Sequence, residues 1–233
     1  MIPGEHKKLE ELSEDQKLEI SEAAKYDYLV ASCNYGSDFH RDKQVIRTTK
    51  ELGHVSVVYS QIISWGGKQD RPFKVLDVGS GPGGCMSWLI AQGVDAYGVD
   101  ISKEFIKISQ SNFPEIRGKV FKGNAKKLKR FSDSSFDLVQ HLDGMEHIPK
   151  EWEEDCLKEA VRVSRQYVVH EIACEDAWAD GGCINNGFSA AHINVKTSEE
   201  WLRFYESHSS SLNYKIIAKY LTKEYLAVIL KKV

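Results

Sequence analysis

The chain has 233 residues, of which 42% are hydrophobic and 10% aromatic, so it can bury a substantial core and disorder is not expected. Its 31 Lys and Arg residues nearly balance 34 Asp and Glu residues, and the formal net charge of -3 provides no general attraction for nucleic acid or an anionic membrane. Five cysteines without a Cys-x-x-Cys pair, no apolar leader and no run of 18 apolar residues predict a soluble cytoplasmic protein with reduced thiols and no membrane span.

Residues 1–70 differ in pattern from the rest and are predicted to form a helical extension. Ser13 and Gln16 have the spacing of a capping box, and a second helix is expected over about 40–64. We expect the extension to act as a lid over the active site, and it is also the natural place for a homodimer contact. Its aromatic and imidazole side chains then reach the site: Tyr26, Tyr28, Tyr35, Phe39 and His40.

From residue 71 to 233, apolar runs of strand length alternate with amphipathic helical segments, a rhythm typical of a parallel, doubly wound sheet. The expected strands are 73–78, 96–99, 119–122, 136–140, 167–171, 214–221 and 225–231. The expected helices are 85–92, 102–111, 151–164 and 197–205. Because only a few residues join the last two strands, they must pair antiparallel. The predicted fold is α/β: a Rossmann-like, doubly wound, mostly parallel seven-stranded sheet with an antiparallel C-terminal hairpin and an N-terminal helical extension.

The stretch VLDVGSGPGG at 75–84 fits two glycine-rich cofactor patterns. Counted from Gly79 it is G-x-G-x-x-G, which is typical of a nicotinamide dinucleotide site. Counted from Asp77 it is D-x-G-x-G-x-G, which belongs to a different cofactor. In both patterns the glycines permit a tight turn and a close backbone approach, and the helix that begins near Gly84 directs its amides at the ligand.

Two acidic residues lie near the ends of neighbouring strands. A carboxylate at Asp77 would repel a pyrophosphate, but it suits a cofactor with a cationic amino group and no phosphate, such as the methionine part of S-adenosylmethionine. Asp100 lies about 20 residues beyond the loop, where an acid accepts hydrogen bonds from ribose hydroxyls. Both cofactors use that acid, so Asp77 is the residue that discriminates between them.

Four segments in order resemble the successive motifs of class I S-adenosylmethionine-dependent methyltransferases: 75–84, Gly98-Val-Asp100, Lys122-Gly-Asn-Ala125, and Phe136-Asp-Leu-Val139 with Glu146-His-Ile-Pro149. The resemblance covers roughly residues 73–170, and the terminal hairpin agrees with it. The family's third motif commonly has Asp where this chain has Asn124, whose carbonyl also accepts a hydrogen bond from the adenine amino group. The resemblance implies that nine residues hold the cofactor: Asp77, Gly79, Ser80, Gly81, Asp100, Ile101, Asn124, Ala125 and Leu142.

A general base is expected near the methyl group, and its candidates lie in the segment after the fourth strand, 141–147, and in the long stretch 171–196. That stretch is too long for a plain connector and is rich in acids, amides and aromatics, including Trp178 and Phe188, so we interpret it as a substrate-pocket insertion in a domain of residues 71–233. His192 is the preferred general base and His147 the second choice. For both histidines, a structural role was the alternative.

Metal dependence is left open by the sequence. Asp143, His147 and His192 are the weak candidates for ligands of a divalent ion, but no spacing among them specifies a site. The same region also contains the potential ligands His141, Glu146 and Asp180.

Several substrate classes are disfavoured. The chain lacks the D/N-P-P-Y/F/W motif of enzymes that methylate amino groups of DNA bases, and it lacks the Pro-Cys nucleophile of cytosine C5 enzymes. The favoured function is transfer of a methyl group to a hydroxyl of a sugar or a similar polar small molecule. N-methylation of a small amine and a catalytically inactive cofactor-binding subunit remain as alternatives.

Overall fold

The computed structural model describes residues 12–32, 70–174, 192–221 and 225–233, together with Ser64. The expected helix over 40–64 lies outside these residues except for Ser64, which is helical. Several side chains of interest also lie outside the described residues: Tyr35, Phe39, His40, Trp178, Asp180 and Phe188. Cys85, Cys156 and Cys174 are thiols, as expected.

The described strands form one seven-stranded sheet with the order β3-β2-β1-β4-β5-β7-β6. Strands β1 to β5 are parallel to one another, and β7 is antiparallel to both β5 and β6. The predicted mostly parallel sheet with an antiparallel C-terminal hairpin is therefore confirmed. The strand bounds are β1 Lys74–Val78, β2 Asp95–Asp100, β3 Val120–Lys122, β4 Phe136–Leu142, β5 Ser164–Ala173, β6 Tyr214–Leu221 and β7 Tyr225–Lys232.

The α-helices flank the sheet. Their bounds are α1 Glu14–Ser32, α2 Gly84–Ala91, α3 Lys103–Asn112, α4 Glu153–Val163 and α5 Ser198–His208. The apolar face of α4 is buried under the sheet with Cys156, Leu157 and Ala160, as its helical spacing predicts. Within the described parts of the chain, no helix is both long and apolar enough to cross a membrane.

Side chains cap the helices at the predicted positions. Ser13 and Gln16 exchange side-chain and backbone hydrogen bonds of 3.0 and 3.2 Å ahead of α1. Thr197 and Glu200 form the second capping box, at the start of α5. Each box satisfies amide groups that have no partner inside the helix, so these helix starts are encoded locally.

Helix α1 packs at the edge of the sheet where the parallel strands end. Asp27 accepts hydrogen bonds from the Ser102 hydroxyl at 2.7 Å and the Glu104 amide at 3.2 Å, just beyond β2. Asp15 accepts from Trp152 Nε1 at 2.9 Å, beyond β4. These contacts fix where α1 packs, and the action of the N-terminal extension as a lid stays a prediction.

The fourth strand is two residues longer than predicted. His141 and Leu142, expected in the segment after a strand that ends at Gln140, pair instead with His170 and Glu171 of β5. Strand β5 is also longer than the predicted 167–171, and β4 pairs with this longer strand. The hydrogen bonds between the two strands stabilise an extended backbone at residues whose polarity predicts a loop, which explains the difference.

The strand order reverses between β1 and β4, which are adjacent in the sheet but separated by more than one crossover in the chain. In open α/β sheets, ligands bind beyond the carboxyl ends of the strands at such a reversal. The residues that follow β1 and β4 are therefore the first place to look for a site.

Candidate functional site

The glycine loop turns sharply after β1. Gly79, Gly81 and Gly83 have φ angles of +69°, +49° and +87°, a backbone region that strongly favours glycine. The Gly79 and Ser80 amides both donate to the Val99 carbonyl, at 2.8 and 3.1 Å, so the loop is tied to β2. Gly98 in β2 has no room for a side chain, because an added Cβ would come within 2.3 Å of Met86 Sδ.

Asp77 lies in β1 with only 3% of its surface exposed. Gln140 of β4 donates a hydrogen bond of 2.9 Å from Nε2 to its Oδ1. Burial raises the pKa of Asp77 to about 7, and the nearby charge of Asp100 adds to this, while the Gln140 bond opposes it. A ligand cation beside the carboxyl group would favour its charged form.

Asp100 ends β2 and is also buried. Its Oδ2 accepts from the Gly81 amide and its Oδ1 from the Ser102 amide, both at 2.8 Å. Burial raises the pKa of Asp100 to about 6, although these backbone bonds oppose the rise. Each carboxylate oxygen keeps a further lone pair for a ligand hydroxyl. Ile101, half-buried, follows directly.

Two buried polar groups beside the loop have no hydrogen-bond partner among the described residues: Ser80 Oγ and Asn124 Nδ2. The other side-chain atom of Asn124, Oδ1, accepts from the Lys126 amide at 3.1 Å, and Ala125 lies half-buried between them. Buried polar groups are normally paired, so these atoms fit a site that a polar ligand completes.

Leu142 is half-buried and packs near α2, on the face of the sheet that Gln140 occupies.

A second group of polar residues follows β4. A short 3-10 turn, Met145–His147, buries Glu146 completely. Glu146 Oε1 accepts from the Ala173 amide of β5 at 2.9 Å. The Glu146 carbonyl accepts from the amides of both Ile193 and Asn194 at 3.0 Å, and Glu153 Oε2 accepts from Asn194 Nδ2 at 3.0 Å, so these bonds hold the far segment in place.

That connection brings the two histidines favoured in the sequence into contact. The rings of His147 and His192 lie edge to face with centroids 4.5 Å apart. Together with Asp143 and Glu146 they form a group whose potential ligand atoms all lie within 4.8 Å of one another; we call these four residues the histidine–carboxylate cluster. Glu146, which the sequence analysis names only as a further potential ligand, is one of the four residues of this cluster.

Burial sets the protonation of the cluster. It raises the pKa of the Glu146 carboxyl group well above its usual range, and the neighbouring Asp143 adds to the rise. It lowers the pKa of His192, an effect that the charge of Asp143 opposes. A lowered pKa keeps an imidazole neutral near pH 7, as a proton acceptor or a metal ligand requires.

Two side chains lie beside the cluster, and one of them, His141, also contacts the glycine loop. The ring of His141 lies against Gly79 and Gly144, where an added Cβ would come within 3.2 and 2.1 Å of it. Tyr26 of α1 packs edge to face on His147 with a centroid distance of 6.1 Å. Burial raises the pKa of Tyr26, and so do the charges of Glu22, Asp100, Glu146 and Asp143.

Comparison with known proteins adds an independent finding. A family model described as a methyltransferase domain matches residues 75–166. Phosphoethanolamine N-methyltransferase of Plasmodium falciparum (isolate 3D7) is 32% identical over 79 residues. That match covers 34% of this chain and 30% of the curated relative, so most of the relative has no counterpart in the alignment.

Solved structures of low sequence identity share the fold. The PH0226 protein of Pyrococcus horikoshii OT3 has a TM-score of 0.62 at 18% identity and covers 80% of this chain and 91% of its own. A SAM-dependent methyltransferase from Archaeoglobus fulgidus has a TM-score of 0.55 at 19% identity, over 76% and 94% of the two chains. Magnesium protoporphyrin IX methyltransferase from Synechocystis PCC 6803, solved with bound SAH, has a TM-score of 0.61 at 13% identity, over 94% and 100%.

Proposed function

We propose that the chain is a class I S-adenosylmethionine-dependent methyltransferase, and that it transfers the methyl group to a hydroxyl oxygen of a sugar or a similar polar small molecule. The match of residues 75–166 to a methyltransferase domain supports the first part of this proposal. Asp77 would accept hydrogen bonds from the cofactor's ammonium group, Asp100 from its ribose hydroxyls, and Asn124 would bond the adenine. Gly79, Ser80 and Gly81 would line its path, with Ile101, Ala125 and Leu142 packed around it. The cofactor supplies an electrophilic methyl group on a sulfonium sulfur.

The observation that carries the choice of acceptor is the histidine–carboxylate cluster beyond β4. A hydroxyl group is a weak nucleophile until it loses its proton, so O-methylation benefits from a nearby base. An unprotonated amine attacks without one. Two imidazoles in contact at the strand end next to the glycine loop therefore favour an oxygen acceptor.

The transfer itself needs little covalent chemistry from the protein. The acceptor oxygen forms a bond to the methyl carbon as the sulfur–methyl bond breaks, and the sulfur keeps the electron pair to give S-adenosylhomocysteine. The hydroxyl proton passes to an imidazole nitrogen, that of His192 as first choice and of His147 as second. The remaining task is to hold the reacting atoms in line, for which the buried His141 and the half-buried Tyr26 are suited.

N-methylation of a small amine is the second candidate. It is favoured by the match to a phosphoethanolamine N-methyltransferase, although that match spans only 30% of the relative. The two candidates make different demands on the histidines, because only the hydroxyl acceptor must be deprotonated during transfer.

The proposal is tested with labelled S-adenosylmethionine against two acceptor panels, one of sugars and polyols and one of small amines. We expect labelled product from the first panel, and a loss of roughly 100-fold or more in rate for His192→Ala. His208→Ala is the matched control, since His208 is a half-buried imidazole that faces Glu154 and is not a member of the cluster. If only the amine panel gives product and His192→Ala lowers the rate less than tenfold, the acceptor is an amine and the proposal of a hydroxyl acceptor is wrong.

A further inference from the structure

We propose that Asp143, Glu146, His147 and His192 bind a divalent first-row transition-metal ion, which holds the acceptor oxygen for methyl transfer. The inference rests on the proposed function for the role of the ion, but the presence of the site is a separate claim. No local sequence motif contains all four residues, because 45 positions separate His192 from His147.

The geometry fits a single ion. Each of the four residues offers one ligand atom, and these atoms lie within 4.8 Å of one another. Ions of this class bind nitrogen and oxygen at about 2.0–2.2 Å, so two ligands on opposite sides of the ion are about 4.0–4.4 Å apart. Small side-chain rotations close the remaining difference.

A second observation points to a ligand at this place. The Glu146 side chain is fully buried, and its Oε2 has no hydrogen-bond partner within the described ranges. Its other oxygen is fixed by the Ala173 amide, so the carboxyl group cannot turn away without losing that bond. Asp143 brings a second carboxyl group beside it. Two carboxylates this close repel unless a proton or a cation lies between them, and a cation satisfies both at once.

The donor set selects the kind of ion. Two carboxylates balance the charge of a divalent cation, and two neutral imidazoles add nitrogen ligands that Zn²⁺, Fe²⁺ and their neighbours accept. Mg²⁺ and Ca²⁺ prefer oxygen ligands throughout, so the two histidines disfavour them. The cluster contains no thiolate that would favour Cu(I).

The ligand count suggests what the ion does. Four protein ligands leave two positions open on a six-coordinate ion, and an oxygen bound there loses its proton more readily than in water. Two adjacent open positions fit an acceptor with neighbouring oxygens, such as a vicinal pair of sugar hydroxyls. With the ion bound, His147 and His192 coordinate it instead of taking the proton, which leaves to solvent.

The test is a titration of the untagged full-length chain, freed of metal by a chelator that is then removed. Bound Mn²⁺ loses the electron paramagnetic resonance signal of the free ion, and we expect one equivalent to bind saturably. His192→Ala and Glu146→Gln should each weaken binding at least tenfold, and His208→Ala should bind as the parent does. If Glu146→Gln fails to fold, His192→Ala still decides, because its side chain is only half-buried in an irregular segment.

Absence of saturable binding of both Mn²⁺ and Zn²⁺, the latter followed by competition with a chromogenic chelator, would overturn the site. Binding that neither cluster variant weakens would overturn it too. The same samples are assayed for labelled methyl transfer. Metal binding without methyl transfer to any acceptor would contradict the proposed function but support the metal site. Full activity without metal binding would contradict the metal site but support the proposed function.

Discussion

The two ends of the candidate site are built in different ways. The cofactor end consists of a continuous loop after β1, with acids at the ends of β1 and β2, and its shape depends on backbone amides and glycine conformations. The acceptor end consists of side chains, three from the segment 143–147 and one, His192, from a distant part of the chain. The first is local in sequence, and the second exists only in the folded protein.

This difference implies a division of labour. The loop is fixed by the strands that carry it, so it should bind the cofactor whatever happens at the cluster. The cluster depends on the Glu146 carbonyl, which holds the segment that carries His192. Changes at one end should therefore leave the other end largely intact.

The largest expected effect is at the acceptor end. His192→Ala removes a proton acceptor or a metal ligand, and we expect the rate of methyl transfer to fall roughly 100- to 10,000-fold. The affinity for S-adenosylhomocysteine should stay within about twofold, since His192 is not among the residues we assign to the cofactor. Calorimetry measures the affinity and a labelled-methyl assay on the same preparation measures the rate. A parallel loss of cofactor affinity would contradict the independence of the two ends.

At the cofactor end, Asp77→Asn removes the negative charge that would face the cofactor's ammonium group. Loss of one partner of a buried, hydrogen-bonded charge pair costs about 2–4 kcal/mol, so the dissociation constant for S-adenosylhomocysteine should rise about 30- to 1,000-fold. Asp95→Asn is the control, because Asp95 is a half-buried carboxylate of the neighbouring strand paired with Lys119 at 2.9 Å. If both substitutions change the dissociation constant equally, the proposal that Asp77 binds the cofactor is wrong.

The pKa of Asp77, raised to about 7 by burial, predicts a smaller effect of pH on the same affinity. The charged carboxylate binds the ammonium group and the protonated form does not, so affinity should be highest above pH 7 and decline as pH falls through 7. Between pH 7.5 and 6, the dissociation constant should rise about 5- to 10-fold in calorimetric titrations. Asp100, with a pKa raised to about 6, adds to the decline at the acidic end. Asp77→Asn should show a flatter profile, and an unchanged slope in that variant would assign the titration to another group.

The smallest expected effect separates stability from positioning. Thr197→Ala removes the side-chain cap of α5, which follows the segment that carries His192, and should lower the free energy of unfolding by about 1 kcal/mol in urea titrations. Methyl transfer should stay within about twofold of the parent, because the Glu146 carbonyl rather than the cap holds that segment. A tenfold loss of rate would show that α5 also positions His192.

Sequence patterns predicted the features that neighbouring residues encode. The glycine loop, the capping boxes at Ser13 and Thr197, and the antiparallel hairpin all follow from local spacing, and the structure confirms them. The end of β4 was predicted two residues too early, because its extension depends on pairing with β5. The sequence supplied the members of the cluster as separate candidates, but their proximity depends on hydrogen bonds between Glu146 and residues 193–194, which no local pattern encodes. The roles of His147 and His192 stay predictions.

The identity of the cofactor is the claim on which the other proposals depend, and it can be measured directly. Calorimetric titration of the metal-free protein with S-adenosylhomocysteine should show one saturable site, and the same titration with a nicotinamide dinucleotide should show none. Binding of the dinucleotide alone would contradict the interpretation of Asp77 and the methyl transfer built on it.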